Sequence, residues 1–560
     1  MEDSFPPLPG ATRPSGLVGG GEAGALNHQQ TGEDRFNVTK TRILCSDVDV
    51  VLEFTPSPSF GARKFAHTKY LMGVSSTALK QSSAYFRVIL DPEKFREGRE
   101  LFEKTAQLDT KYGAGDVSMN DEAAAFAELP TIRIELPPLA GVFDKADLIE
   151  TFLRVLFLGS AKSHDDQHIQ DILNHLAKKS ISFVANLIIL SDKFGGQDAL
   201  KRALNVPLDG VSKSVGQTLM SKTLRRLQAS RIEDEERTRQ AIYFALILGL
   251  NDGVLAFTHM LIIDGSREWV YGARDGWVGI DRPIWWHLPH GIEEELRFRH
   301  ESILDTITDL QSHFLRAYGA LLPESPHPAQ ITDPSTSAFP PQPPQHSTRL
   351  QCRRMYENSR ACDSFHLGEI IRFFTTRAKT LHLESTLPSH MHDSGDSEGE
   401  NEGHATNNTT NSTQPPPPPT NIATLLASLR QCPEYQIDPN HIGCGLRRRL
   451  LPALDCLASF TTNSTNAVGI CSSHFNSGNN NSNSTNPYAF MATRRASVGS
   501  WRNHAFRDAV MVGIGAGKVD SITYLNDGRA NGPLAETCTC VANAELARAA
   551  FTSRRRVWNL

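Results

Sequence analysis

No run of this chain is apolar for long enough to cross a bilayer. The longest, AIYFALILGL at 241 to 250, is about half the length a spanning helix needs, and Asn251, Asp252 and Gly253 interrupt it. MEDSFPPLPG at the start offers neither a basic region nor an apolar stretch, so no secretory leader is expected. Strong charge of one sign is lacking too. Lys and Arg total 57 against 62 Asp and Glu, a net charge of −5 over 560 residues, and bulk attraction to nucleic acid or an anionic membrane is not expected. Cysteines number nine, irregularly spaced and odd in count, which suits a reducing compartment better than a disulfide scaffold. Sequons such as those at Asn411 and Asn483 are then expected to stay unmodified. These absences together point to a soluble chain of the cytoplasm or nucleus.

The motifs of common chemistries are also missing. There is no Gly-x-Ser-x-Gly elbow and no His-Glu-x-x-His helix. VGIGAGKV at 512 to 519 resembles a phosphate loop, but Val512 stands where the first glycine belongs and Val519 where the magnesium-binding hydroxyl belongs. A glycine-rich turn explains it better. The carboxylates at Asp165 and Asp166, and at Glu293 to Glu295, sit where helices start, so dipole and capping roles account for them. PIWWHLPHG, with Trp285, Trp286, His287 and His290, reads as a core plug between helical units rather than a binding platform. No catalytic residue and no cofactor is assigned.

What is present is a modular chain. Its length exceeds what one core usually supports, and 39% apolar residues with 32 prolines and 40 glycines leave a sizeable share for linkers. Residues 1–35 read as a disordered leader and 36–205 as an α+β unit. In that unit, SDVDVVLEF forms a half-buried strand from Val48, KYLMGV a second, and TIRIEL a third, stopped by Pro137 and Pro138. STALKQSSAYFRVIL is predicted as one amphipathic helix with Ser83 inside it. DLIETFLRVLFLGS and ISFVANLIILSDKFGGQDALKRAL give two more, the last broken at Gly195 and Gly196. Residues 206–322 form a helical region and 323–349 a Pro-rich linker. Residues 350–388 and 421–460 are helical segments separated by low-complexity sequence at 389–420. An Asn/Ser-rich linker at 461–487 and a small C-terminal region at 488–560 complete the chain.

The order of these elements and several short motifs resemble the BTB/POZ domain, in particular the BTB-domain proteins of filamentous fungi. Ser83, Tyr85 and Phe86 match the Ser-x-x-Phe stretch that ends an early helix of that family. Asp47 and Val48 look like the acidic-apolar start of its first strand. Phe157, Leu158 and Gly159 look like its Tyr-x-Gly helix end, and Leu190, Asp192, Lys193 and Phe194 like its Ala-Asp-Lys-Tyr/Phe helix. The likeness covers roughly 42 to 205. It departs from the family in two places. Ser75 and Ser76 stand where a His-Lys pair is expected, leaving Asp47 without a basic partner and strand-exchanged dimerisation in doubt, and an insertion at about 98 to 130 lengthens a loop. The resemblance implies a helical cluster around a short sheet, and a role in oligomerisation or as a substrate adaptor docking a cullin scaffold of a ubiquitin ligase. Phe95, Arg96 and Glu97 match the apolar-x-Glu element that such adaptors carry and are the candidate partner-binding residues.

Cys432, His441, Cys444 and Cys456, with Cys471 and His474, are the richest Cys/His group in the sequence. Only His441-x2-Cys444 and Cys471-x2-His474 have the tight spacing zinc prefers, so the expectation is buried free thiols, with no metal ligand assigned. Arg447 to Arg449 and Arg554 to Arg556 are short basic runs that solvate helix ends, and RRAS makes Ser497 a candidate phosphorylation site. The expected protein is therefore non-enzymatic, with protein partners that include a cullin scaffold or itself. Neither a membrane nor nucleic acid is expected as a partner. The alternative is a nuclear transcription or chromatin regulator that self-associates through the same domain. Zinc carried by residues 422–560 would favour that alternative.

Overall fold

The fold is described by a computed structural model covering residues 39–56 (without 46), 69–112, 128–158 (without 140 and 143), 166–208, 212–230, 234–271, 283–321 (without 290), 350–381 (without 354–356), 420–472 (without 463–465), 490, 499–502, 539–552 and 556–559. It is a mixed α/β structure, mostly helical, with one small four-stranded sheet.

The sheet comprises β1 (Thr39–Ile43), β2 (Val50–Pro56), β3 (Lys69–Val74) and β4 (Thr131–Leu136) in the order β1-β3-β2-β4. β2 and β3 are antiparallel, with Leu52 opposite Met72, while β4 runs parallel to β2 with Ile132 opposite Leu52. Strict alternation makes β4 half-buried, since Ile132, Ile134 and Leu136 point inward and Thr131, Arg133 and Glu135 outward. β2 differs from the expectation. It begins at Val50 rather than Val48, and Val50, Val51, Leu52 and Phe54 are all buried, so this strand, paired with β3 and β4 along its edges, has both faces covered.

After β3 the chain forms α1 (Ser76–Ser82) and α2 (Ala84–Ile89), two helices where one was expected. Ser83 is the reason. Its backbone is extended at φ −135°, and its hydroxyl accepts the Phe86 amide, so it ends one helix and caps the next. The insertion read as a long loop is helical in its first half, α3 (Arg96–Tyr112). Gly98 permits its start, since a Cβ there would lie 2.4 Å from the Asp91 carbonyl.

Four helices close this unit: α4 (Lys145–Phe157), α5 (Asp166–Lys178), α6 (Ile181–Lys193) and α7 (Gln197–Asn205). The break at Gly195 and Gly196 occurs as expected. Gly195 takes φ +61°, a conformation that favours glycine, and α7 restarts two residues later.

The helical region comprises α8 (Val215–Ala229), α9 (Glu235–Leu248), α10 (Asn251–Asp264), α11 (Arg267–Tyr271) and the 26-residue α12 (Ile292–Ala317). α9 packs on α6, which joins the region to the sheet unit in one continuous core. Trp285 is fully buried in a 3-10 turn at Ile284–Trp286, as a core plug would be.

Beyond it lie α13 (Ser359–Arg372), α14 (Ile422–Arg430), α15 (Arg447–Thr461), and α16 (Thr539–Thr552) beside a two-stranded sheet of β5 (Gly499–Arg502) and β6 (Arg556–Asn559). Part of the sequence read as an Asn/Ser-rich linker is packed. Val468 and Ile470 are buried, the Ile470 amide donates to the Thr258 hydroxyl at 2.9 Å, and the Arg299 guanidinium donates to the Val468 and Gly469 carbonyls. The apolar triplet Ala467, Val468 and Ile470 outweighs the polar composition around it.

Candidate functional sites

Ser83, Tyr85 and Phe86 meet at Phe194. Phe194, at the end of α6, touches Phe54 of β2, Tyr85 and Phe86 of α2, and Phe152 of α4, with ring centroids 5.2 to 6.2 Å apart. The Ser83 hydroxyl donates to the Phe194 carbonyl at 2.5 Å, tying the start of α2 to the end of α6. Phe157 is half-buried against the same core, while Asp192 and Lys193 point outward, Lys193 donating to the Glu135 carbonyl at 2.7 Å. Gly159 and Ser497 lie outside the described residues.

The carboxylate that matters at the start of β2 is Asp49, not Asp47. Asp47 is exposed, whereas Asp49 accepts the Ser76 amide at 2.6 Å and the Ser76 hydroxyl at 2.5 Å. The serine that replaces the expected basic residue therefore supplies this carboxylate with two donors. Burial pushes the neighbouring Cys45 thiol up to about 12, with Asp47 adding to the shift, so it stays protonated at neutral pH.

Phe95, Arg96 and Glu97 lie where α3 begins. Phe95 is 44% exposed, and Phe102, seven residues on and so on the same helix face, is 65% exposed; Val88 in α2 is 42% exposed. Arg96 pairs with Glu100 within the helix. Glu97 is half-buried.

The acidic start of α12 does more than cap. Glu293 receives both terminal nitrogens of Arg239, each at 2.8 Å, and the indole of Trp269 at 2.7 Å. Arg239 is fully buried and also reaches Glu235 and Ser266, and it lies over the Trp286 ring. Its neighbouring carboxylates and hydrogen bonds hold the guanidinium charged despite burial. Glu295 similarly engages buried Arg299 at 2.7 Å. A cavity of about 660 Å³ between α8, α10, α14 and α15 contains Asp234 and Asp264, but Asp234 caps α9 and Asp264 accepts from Asn421. Both carboxylates already have structural work.

The Cys/His group is rearranged relative to its sequence reading. Cys352, Cys362, His441 and Cys444 come together, all four buried, with their ligand-type atoms within 4.8 Å of one another. Sequence spacing pairs His441 with Cys444 but does not reach Cys352 and Cys362, which lie about eighty to ninety residues away. Cys432 lies apart, its thiol directed at the Pro433 carbonyl, and Cys456 sits half-buried on α15. Cys471 is likewise outside the group, and His474 lies outside the described residues. Burial, reinforced by the Cys352 and Cys444 sulfurs, pushes the Cys362 thiol well above its ordinary range.

Compared with known proteins, the chain matches no family, no curated relative and no solved structure.

Proposed function

We propose that this is a non-enzymatic protein-interaction protein whose 36–205 unit acts as a BTB/POZ-type adaptor, docking a cullin-type ubiquitin-ligase scaffold. The exposed apolar side chains Phe95, Phe102 and Val88, with Glu97 in the first turn of α3, carry the reading. An adaptor needs an apolar anchor and an adjacent charge on a rigid surface, and Phe95 sits immediately before a 17-residue helix backed by the buried Leu101. The strand and helix order supports it as well: an antiparallel β2-β3 pair, two short helices, the inserted α3, a return strand parallel to β2, then a helical cluster. The helical region continuous with that cluster would extend the docking face, and the more C-terminal segments would hold the client.

The alternative, a nuclear regulator reaching nucleic acid through its Cys/His-containing half, draws no support from the buried cluster. Its four side chains are 0 to 3% exposed, so a metal there would organise the interior rather than present a surface.

Calorimetric titration of the full-length chain against a cullin N-terminal region from the same organism tests the proposal, with Glu97→Lys and Phe95→Ala as controls. Binding at about micromolar Kd or tighter, lost in both variants, is the expected result. Absence of heat from the folded chain would remove the adaptor role, and sedimentation would then ask whether the same surface mediates self-association.

A further inference from the structure

We propose that Cys352, Cys362, His441 and Cys444 form a mononuclear structural zinc site. Four ligands of the zinc-preferred types, three sulfurs and one imidazole, converge from three separate chain segments and are fully or almost fully buried. A tetrahedral ion with zinc–sulfur bonds of about 2.3 Å and zinc–nitrogen bonds of about 2.0 Å separates its sulfurs by about 3.8 Å and sulfur from nitrogen by about 3.5 Å. Here the Cys352 and Cys444 sulfurs are 4.0 Å apart, and Cys352 Sγ lies 3.3 Å from His441 Nδ1. A disulfide would need the two sulfurs at about half that separation. A polynuclear iron–sulfur cluster would need a wider cage.

The surroundings fit the same reading. His441 Nε2 lies 2.9 Å from Asn358 Oδ1, which fixes the tautomer with Nε2 protonated and leaves the Nδ1 lone pair facing the sulfurs. Asp438 caps the 3-10 turn that carries His441, accepting the Asn440 amide at 2.7 Å. Between His441 and Cys444 the chain turns at Gly443 with φ +77°, and the Cys444 amide returns to the His441 carbonyl, giving the tight knuckle that lets two ligands of one turn grip one ion. Tyr318, directly after α12, donates to the Cys444 carbonyl at 3.2 Å, and Arg449 holds the Gln351 backbone beside Cys352. These three cysteines form their own cluster, separate from the large apolar core. A bound ion explains why an otherwise costly group of polar side chains is gathered there. It would join α13 to the turn before α15, clamping 350–381 to 420–472.

The test is elemental analysis of full-length protein expressed with zinc supplied and purified without a histidine tag. One zinc per chain is expected. Cys352→Ser, Cys362→Ser and Cys444→Ser should lose it, while Cys432→Ser and Cys456→Ser retain it, and Asn358→Ala should weaken zinc affinity by about tenfold. Because a ligand variant could fail to fold, wild-type chain stripped by a chelator is also titrated with Co(II). Thiolate charge-transfer bands and the intense visible bands of a tetrahedral site, saturating at one equivalent and displaced by zinc, are the expected result. Folded protein with no zinc and no such bands would overturn the proposal. So would metal retained by the three cysteine variants, or iron in place of zinc.

Discussion

The hydroxyl of Ser83 donates to the carbonyl of Phe194 at 2.5 Å while accepting the amide of Phe86 at 3.1 Å, so one side chain caps α2 and receives the end of α6. Ser83→Ala removes both contacts inside the core and leaves a buried carbonyl and an amide unpaired. It should destabilise the protein by about 2 kcal/mol, measured by chemical denaturation. Ser82→Ala, one residue earlier and without a hydrogen-bond partner for its hydroxyl, should change stability by less than about 0.5 kcal/mol. Equal effects would mean that the cap adds nothing to the stability of this stretch.

Asp49 and Asp47 are separable in the same way. Asp49→Ala strips the two donors of Ser76 of their acceptor and should cost about 1 kcal/mol, whereas exposed Asp47→Ala should be neutral. Thermal unfolding of the two variants side by side reads the difference, and a larger loss at Asp47 would reverse the assignment.

Arg239 is a buried cation whose removal strands Glu293 and Glu235. Arg239→Ala should therefore destabilise by about 3 to 5 kcal/mol. Arg239→Ala combined with Glu293→Gln should cost less than the sum of the two single changes, because one of the two stranded carboxylates loses its charge. A double-mutant cycle by denaturant titration gives the coupling, and strict additivity would contradict the pairing.

His259 on α10 is fully buried, and burial pushes its imidazole down to about 4, with the Thr461 backbone partly offsetting the shift. An unfolded chain would protonate this ring near its ordinary 6.5, so between those values the unfolded state binds the extra proton. The stability contribution is complete above about pH 6.5 and is lost as pH falls toward 4, up to about 3 kcal/mol. His259→Gln should flatten this limb of the melting-temperature profile. His300, also depressed by burial, would leave a residual slope.

Much of the sheet unit is legible in the residues themselves because its signals are local. TIRIEL alternates with period two and is bounded by prolines, and Gly195 and Gly196 break a helix at the glycine that needs φ +61°. Boundaries were less legible where a side chain competes with the pattern. Apolar spacing across STALKQSSAYFRVIL is helical throughout, yet the Ser83 hydroxyl captures the Phe86 amide and divides it.

Helix and strand periodicity is written in the chain itself, because it follows from neighbours a few positions apart, and the side chains able to bind a metal are fixed by residue type alone. Folding in three dimensions sets Glu293 against Arg239, Asp49 rather than Asp47 against Ser76, and Cys352 and Cys362 beside His441 and Cys444. Those pairings depend on segments tens of residues apart being brought together by burial of apolar surface, which fixes position without leaving a spacing in the chain.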